Sequence, residues 1–79
     1  MRANERLKAW REAEGLSQEA LAERLGCSQS LVSFIEIGKR TATLSLALPI
    51  ERESAGWTDG PILAREWVAE TPAPTGTDG

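Results

Sequence analysis

Gly15-Leu16-Ser17-Gln18-Glu19-Ala20-Leu21-Ala22-Glu23-Arg24-Leu25-Gly26-Cys27-Ser28-Gln29-Ser30-Leu31-Val32-Ser33-Phe34-Ile35-Glu36 is the stretch on which the fold of this 79-residue chain turns. Ser17 stands where a hydroxyl can cap the helix-prone run from Gln18 to Leu25, and Gly26 can take the left-handed conformation that closes it. Ser28 repeats the capping signal. Leu31, Val32 and Ile35 then recur at helical spacing through about Ile37, and Gly38 supplies the stop. Two short helices joined by a tight turn need a small residue at their crossing, a glycine in the turn, and apolar residues that hold the second helix inward. Ala22, Gly26 and the set Leu21, Leu25, Val32 and Ile35 meet those needs, with Glu23 and Arg24 directed outward. Cys27, directly after the turn glycine, suits a small buried apolar position.

Upstream, Leu7, Trp10 and Ala13 fall at three-residue steps between Asn4 and Glu14, which predicts an amphipathic helix ended by Gly15. Downstream the pattern weakens at Pro49. A start at Ser45 as N-cap keeps Pro49 near the first turn of a fourth helix, whereas an earlier start forces the proline into the helix. Asp59 or Gly60 before Pro61 then opens a last helix, with Ile62, Leu63, Glu66, Trp67 and Val68 running to about Glu70. The segment 71–79 is built of Thr, Pro, Ala, Gly and Asp, with no large apolar residue to bury. No internal repeat, heptad run or strand-like alternation is present. The expected fold is all-α, a compact bundle of four to five short helices with a central helix-turn-helix at about residues 17–37. Residues 1–70 are expected to form one domain and 71–79 a disordered tail.

Composition excludes several chemistries. With one cysteine and no histidine, the chain cannot close an internal disulfide, assemble a thiolate and imidazole zinc site, or build an imidazole-based triad. A domain of this size buries only about 60% of its unfolded surface, which leaves little room for a deep catalytic pocket. Glu51 and Glu53 read as a solvated face, so no catalytic residue, metal ligand or cofactor is expected. No signal-like or spanning apolar run occurs, and the expectation is a cytoplasmic protein without membrane contact. The net charge of −3 opposes phosphate binding. The charge is nevertheless uneven: residues 1–40 carry seven basic and six acidic groups, and residues 41–79 carry two and six.

The quoted stretch, with Gly38-Lys39-Arg40 after it, resembles the phage-repressor-type helix-turn-helix family (Cro/C1, XRE), over roughly residues 5–55 and most strongly 15–40. The resemblance implies a transcription regulator, of repressor type, that sets its third helix in the major groove of double-stranded DNA and binds an inverted-repeat operator as a homodimer. It places Ser17 and Gln18 at a phosphate, by way of side chains and the N-terminus of the second helix. It places Ser28, Gln29, Ser30, Ser33 and Phe34 on the reading helix, where Gln29 could bond an adenine through N6 and N7. Lys39 and Arg40 suit phosphates beyond that helix. Arg11 and Glu36 match a pair that in the family ties the first helix to the end of the third. No small-molecule ligand is implied.

Two residues depart from the family's pattern. Ile37 stands where a polar or basic residue is usual, which removes a phosphate ligand. Phe34 stands where many relatives carry a polar or basic reader, and two readings stay open for it, a thymine methyl or a protein contact. Trp10, Trp57 and Trp67 are expected in the core or an interface. Leu46, Ile50, Trp57, Ile62, Trp67 and Val68 exceed what three short helices need, so the homodimer is expected to form through the C-terminal half. The competing function is a helix-turn-helix protein-interaction module, antitoxin-like or adaptor, whose acidic C-terminal half meets a basic partner.

Overall fold

The computed structural model describes residues 2–70, with side chains through Trp67. The expected tail 71–79 and the Val68 side chain lie outside the described residues. Five helices follow one another: α1 (Ala3–Ala13), α2 (Gln18–Leu25), α3 (Gln29–Glu36), α4 (Leu44–Glu53) and α5 (Ala64–Glu70). No strand occurs among the described residues. In α1 the buried stripe is Ala3, Leu7 and Trp10. Ala13, expected on that stripe, is exposed, because the face is covered by α3 and α5 and ends with the reach of those two helices.

The turn between α2 and α3 is built as its sequence predicts. Ser17 Oγ accepts the Ala20 N–H at 3.0 Å, and Ser28 Oγ accepts the Leu31 N–H at 3.2 Å. Gly26 takes φ +76°, which lets the Cys27 N–H reach back to the Ala22 carbonyl at 3.0 Å and satisfy an acceptor at the helix end. Space is not the constraint here, since a Cβ at Gly26 would meet nothing within 4 Å. Only the left-handed backbone requires glycine. Leu21, Ala22, Val32 and Ile35 join Leu7 and Trp10 in one core. Cys27 packs against it, and burial pushes its thiol up, away from the reactive thiolate form.

The start of α4 corrects the sequence expectation. Thr43, not Ser45, is the N-cap residue, so Pro49 lies inside the helix and cannot donate a backbone bond to the Ser45 carbonyl. The early start brings Leu46, Ala47 and Ile50 onto one buried face. Burying Leu46 and Ile50 contributes about 1.5–3 kcal/mol each, which offsets the ~3 kcal/mol that an interior proline costs. Ser45 is exposed, so water can hydrate the carbonyl that Pro49 leaves unpaired.

The last helix is corrected too, for α5 begins at Ala64 and not at Pro61. Residues 61–63 instead form a strap held by side chains of α4 and α5. Buried Ser54 donates to the Ile50 carbonyl at 2.6 Å and accepts the Ile62 N–H at 2.9 Å. Glu51 Oε1 accepts the Ala64 N–H and Glu66 Oε2 the Leu63 N–H, each at 2.8 Å. These bonds seat Ile62 in the core, and a helix started at Pro61 would have turned that side chain elsewhere.

Arg6, which sequence reasoning passed over, fastens this region to α1. Its Nη1 reaches both oxygens of Glu66 at 2.7 Å, and its Nη2 donates to the carbonyls of Asp59 and Gly60 at 2.9 and 2.8 Å. The guanidinium also lies over the Trp57 ring, 5.6 Å from its centroid, in cation–π range. Burial by itself would raise the Glu66 carboxyl, but the Arg6 guanidinium and the Leu63 N–H outweigh it and hold the group below its ordinary value. A depressed carboxyl stabilises the fold above its unfolded value of about 4.3 and loses that contribution as pH falls through the folded value. Thermal melts from pH 7 to pH 3 should therefore show wild type above Glu66→Gln by a margin that is largest above about pH 5 and shrinks below pH 4. A margin that stays constant over this range would show that the Glu66 charge contributes nothing.

Candidate nucleic-acid interface

Three helices converge on one carboxylate. Glu36, the last residue of α3, has a side chain only 2% exposed. A bare carboxylate at that depth would be strongly unfavourable, and the first two helices supply its partners. Arg11 of α1 donates from Nε to Oε2 at 2.6 Å and from Nη2 to Oε1 at 3.2 Å, while Gln18 of α2 donates from Nε2 to Oε1 at 3.1 Å. The remaining Arg11 nitrogen, Nη1, holds the Leu16 carbonyl at 2.8 Å, which ties down the turn between α1 and α2. Asn4 Nδ2 completes the cluster by donating to the Glu36 backbone carbonyl at 3.1 Å. The hydrogen bond it donates to Glu36 raises the Arg11 guanidinium above its ordinary value against the opposing effect of burial. Asn4 has no periodic or motif signal in the sequence, and only the packed fold reveals its part.

This cluster fixes which face of α3 looks outward. Val32, Ile35 and Glu36 face the core, so Ser30, Ser33, Phe34 and Ile37, at positions i, i+3, i+4 and i+7, share the opposite side. Gln18, Gln29, Ser30, Ser33 and Phe34 line one shallow recess of about 290 Å³. The structure thus brings together five of the residues nominated from sequence, four on α3 and one at the start of α2. Gln18 spends one amide N–H on Glu36, so its side chain sits at the rim of the recess in a defined orientation. Ser17 and Ser28 stand exposed at the two helix N-termini, with each hydroxyl accepting a backbone N–H.

Lys39 and Arg40 lie beyond the C-terminal end of α3, both exposed. Gly38 at φ +86° turns the chain back, and the N–H groups of Lys39 and Arg40 donate to the Phe34 carbonyl at 2.9 and 3.2 Å. The basic turn is therefore tied to α3 through one backbone carbonyl. No carboxylate opens onto the recess from α3, since its single acidic residue is the buried Glu36.

The family model for this helix-turn-helix matches residues 7–53, from Leu7 in α1 to the last residue of α4. This chain belongs to that family, the helix-turn-helix proteins of Cro/C1 (XRE) type. It is accordingly a DNA-binding regulator of transcription. No solved structure matches the chain. Among the described residues no helix is long and apolar enough to cross a membrane, and no cluster of acidic, cysteine or histidine side chains could hold a metal ion.

The Arg11–Glu36 pair predicts a specific pattern of coupling. Breaking one side of a buried pair strands the other charge and costs about 3–5 kcal/mol, whereas removing both relieves part of that penalty. Urea denaturation of Arg11→Ala, Glu36→Ala and the double variant should give a double-variant loss smaller than the sum by about 0.5–3 kcal/mol. Should either single variant fail to fold, Arg11→Lys with Glu36→Gln supplies the same cycle. Additive losses would show that the two side chains act independently.

Proposed function

We propose that the protein is a repressor that binds an inverted-repeat operator as a homodimer, with α3 of each subunit in successive major grooves about 34–36 Å apart. The observation that carries this reading is the outer face of α3. Amide and hydroxyl groups of Gln29, Ser30 and Ser33 stand in a recess with no carboxylate from that helix, and such groups match the donor and acceptor edges of the major groove. In this reading the N-termini at Ser17, Gln18 and Ser28 approach phosphates, since a helix's first N–H groups lack acceptors within the helix and favour anions. Lys39 and Arg40 meet the backbone at the other end.

Selection of bound duplexes from random DNA at moderate salt should enrich an inverted repeat. On that site, Gln29→Ala or Ser30→Ala should lose about 1–3 kcal/mol and relax preference at particular positions. Lys39→Ala or Arg40→Ala should instead weaken all duplexes alike and flatten the salt dependence, because phosphate contacts carry no base information. If no duplex binds at low salt, the reading fails. The protein-interaction function, which the exposed Phe34 of α3 and Ile37 at its C-cap favour, then takes its place.

The dimer surface needs revision from the sequence expectation. Leu46, Ile50, Ile62 and Trp67 are all consumed by the chain's own core, and half-buried Trp57 packs against it beneath Arg6. What α4 leaves outside is Leu44 and Leu48, one turn apart and 62% and 50% exposed, with Glu51 and Arg52 of opposite charge on the next turn. In the proposed assembly this face meets a second copy of itself, since isologous contact needs a self-complementary patch. One small module buries only about 600–1,000 Å² on DNA, which favours doubling. Sedimentation at micromolar concentration should find a dimer for wild type and a folded monomer for Leu48→Glu, with operator affinity reduced about 100-fold or more. A wild-type monomer, free and on DNA, would end the dimer proposal.

A further inference from the structure

Phe34 is the one aromatic side chain that the described part of the domain leaves open to solvent. It is 41% exposed, although a small domain has every reason to bury its rings. Its place is defined from both sides. Ile35 and Glu36, the next two residues, are locked into the core and the carboxylate cluster, and its own carbonyl accepts the Lys39 and Arg40 N–H groups. The Phe34 Cα is therefore among the best-anchored points of α3, and the ring stands outward on it. Around it the recess is polar, lined by Gln18, Gln29, Ser30 and Ser33.

A phenyl ring in that setting has no donor or acceptor to offer. Of the groups on base edges in the major groove, the thymine C5-methyl is the one apolar group large enough for the ring to cover favourably; the hydrogen-bonding groups would be desolvated by contact with the ring without a partner. We propose that Phe34 reads a thymine methyl in each half-site, and so supplies specificity that the neighbouring amide and hydroxyl groups cannot. The inference rests on the DNA-binding reading of α3 given above. Four residues of helix separate Phe34 from Ser30, about 6 Å along the axis. The thymine consequently lies within about two base pairs of the position that Ser30 contacts, at ~3.4 Å per pair. Cytosine at that position is rejected more strongly than uracil, because it presents an amino group to the ring as well as lacking the methyl.

The test uses the intact protein and the duplex enriched by selection. Each thymine in turn is replaced by uracil, which keeps the pairing and deletes only the methyl, and affinity is measured by fluorescence anisotropy for wild type, Phe34→Ala and Phe34→Leu. Burial of one methyl corresponds to about a fourfold change in affinity. One thymine per half-site should show that loss with wild type, rising to about 15-fold when both half-sites carry uracil. Phe34→Ala should bind the thymine and uracil duplexes equally, and Phe34→Leu should keep part of the difference. Circular dichroism confirms that the variants fold, and the uracil series with wild type needs no variant at all. Sequence-specific binding in which uracil has the same effect on wild type and Phe34→Ala at every position overturns the methyl inference and leaves the groove reading standing. A selected half-site without thymine near the Ser30 position overturns it equally. An absence of any duplex binding overturns both, and assigns the ring to a protein partner.

Discussion

The Glu36 carboxylate is the constraint around which the domain is organised. A charge that is almost completely shielded from water must be compensated where it lies, and the nearest compensation comes from two other helices, through Arg11 and Gln18. Neither partner can shift far without leaving the carboxylate partly unpaired. The angle of α3 against α1 and α2 is consequently set by a directional cluster as well as by apolar packing, which is permissive about small rotations. The same cluster keeps the single acidic group of α3 away from the face where it would repel phosphate. One interaction thus orients α3 and leaves its outer face without a carboxylate of its own.

A second polar clamp does the corresponding task for the C-terminal part. The segment after α4 has few apolar residues, and its path is decided by Ser54, Glu51 and Glu66 accepting backbone N–H groups and by Arg6 holding two loop carbonyls. Those bonds let Ile62 and Trp67 complete the core against α1 and α4. Side chains that look surplus for a three-helix motif are therefore internal. The large apolar side chains that α4 leaves exposed are Leu44 and Leu48.

An acidic protein that engages DNA must separate its charges in space. Here the basic groups Lys39 and Arg40 sit on the turn directly after α3, tied to it through the Phe34 carbonyl, while most of the excess acid falls in residues 41–79. At physiological ionic strength fields decay within about 8 Å, so what a phosphate meets is the local set of groups and not the net charge. The reading face itself is neutral. It offers amide and hydroxyl groups and one aromatic ring.

Much of this was legible in the linear order of residues. The helices α1 to α3, the serine caps of α2 and α3 and the Gly26 turn follow from local rules, since capping, helical periodicity and positive φ involve residues within a few positions of one another. The set Gln29, Ser30, Ser33 and Phe34 was nominated by the family resemblance, and the structure gathers it around one recess. Long-range balance decided the rest. The start of α4 at Leu44 places Pro49 inside a helix against its local preference, because seating Leu46 and Ile50 in the core outweighs a missing backbone bond. The delayed start of α5 depends on Ser54 and Glu51, up to 13 residues away, and the parts of Arg6 and Asn4 depend on partners 60 and 32 residues distant. Sequence alone determined where the chain turns between α1 and α3 and which residues of α3 face inward. Only the tertiary structure decided which apolar residues the core consumes and which remain for a partner, because burial depends on the packing of every element at once.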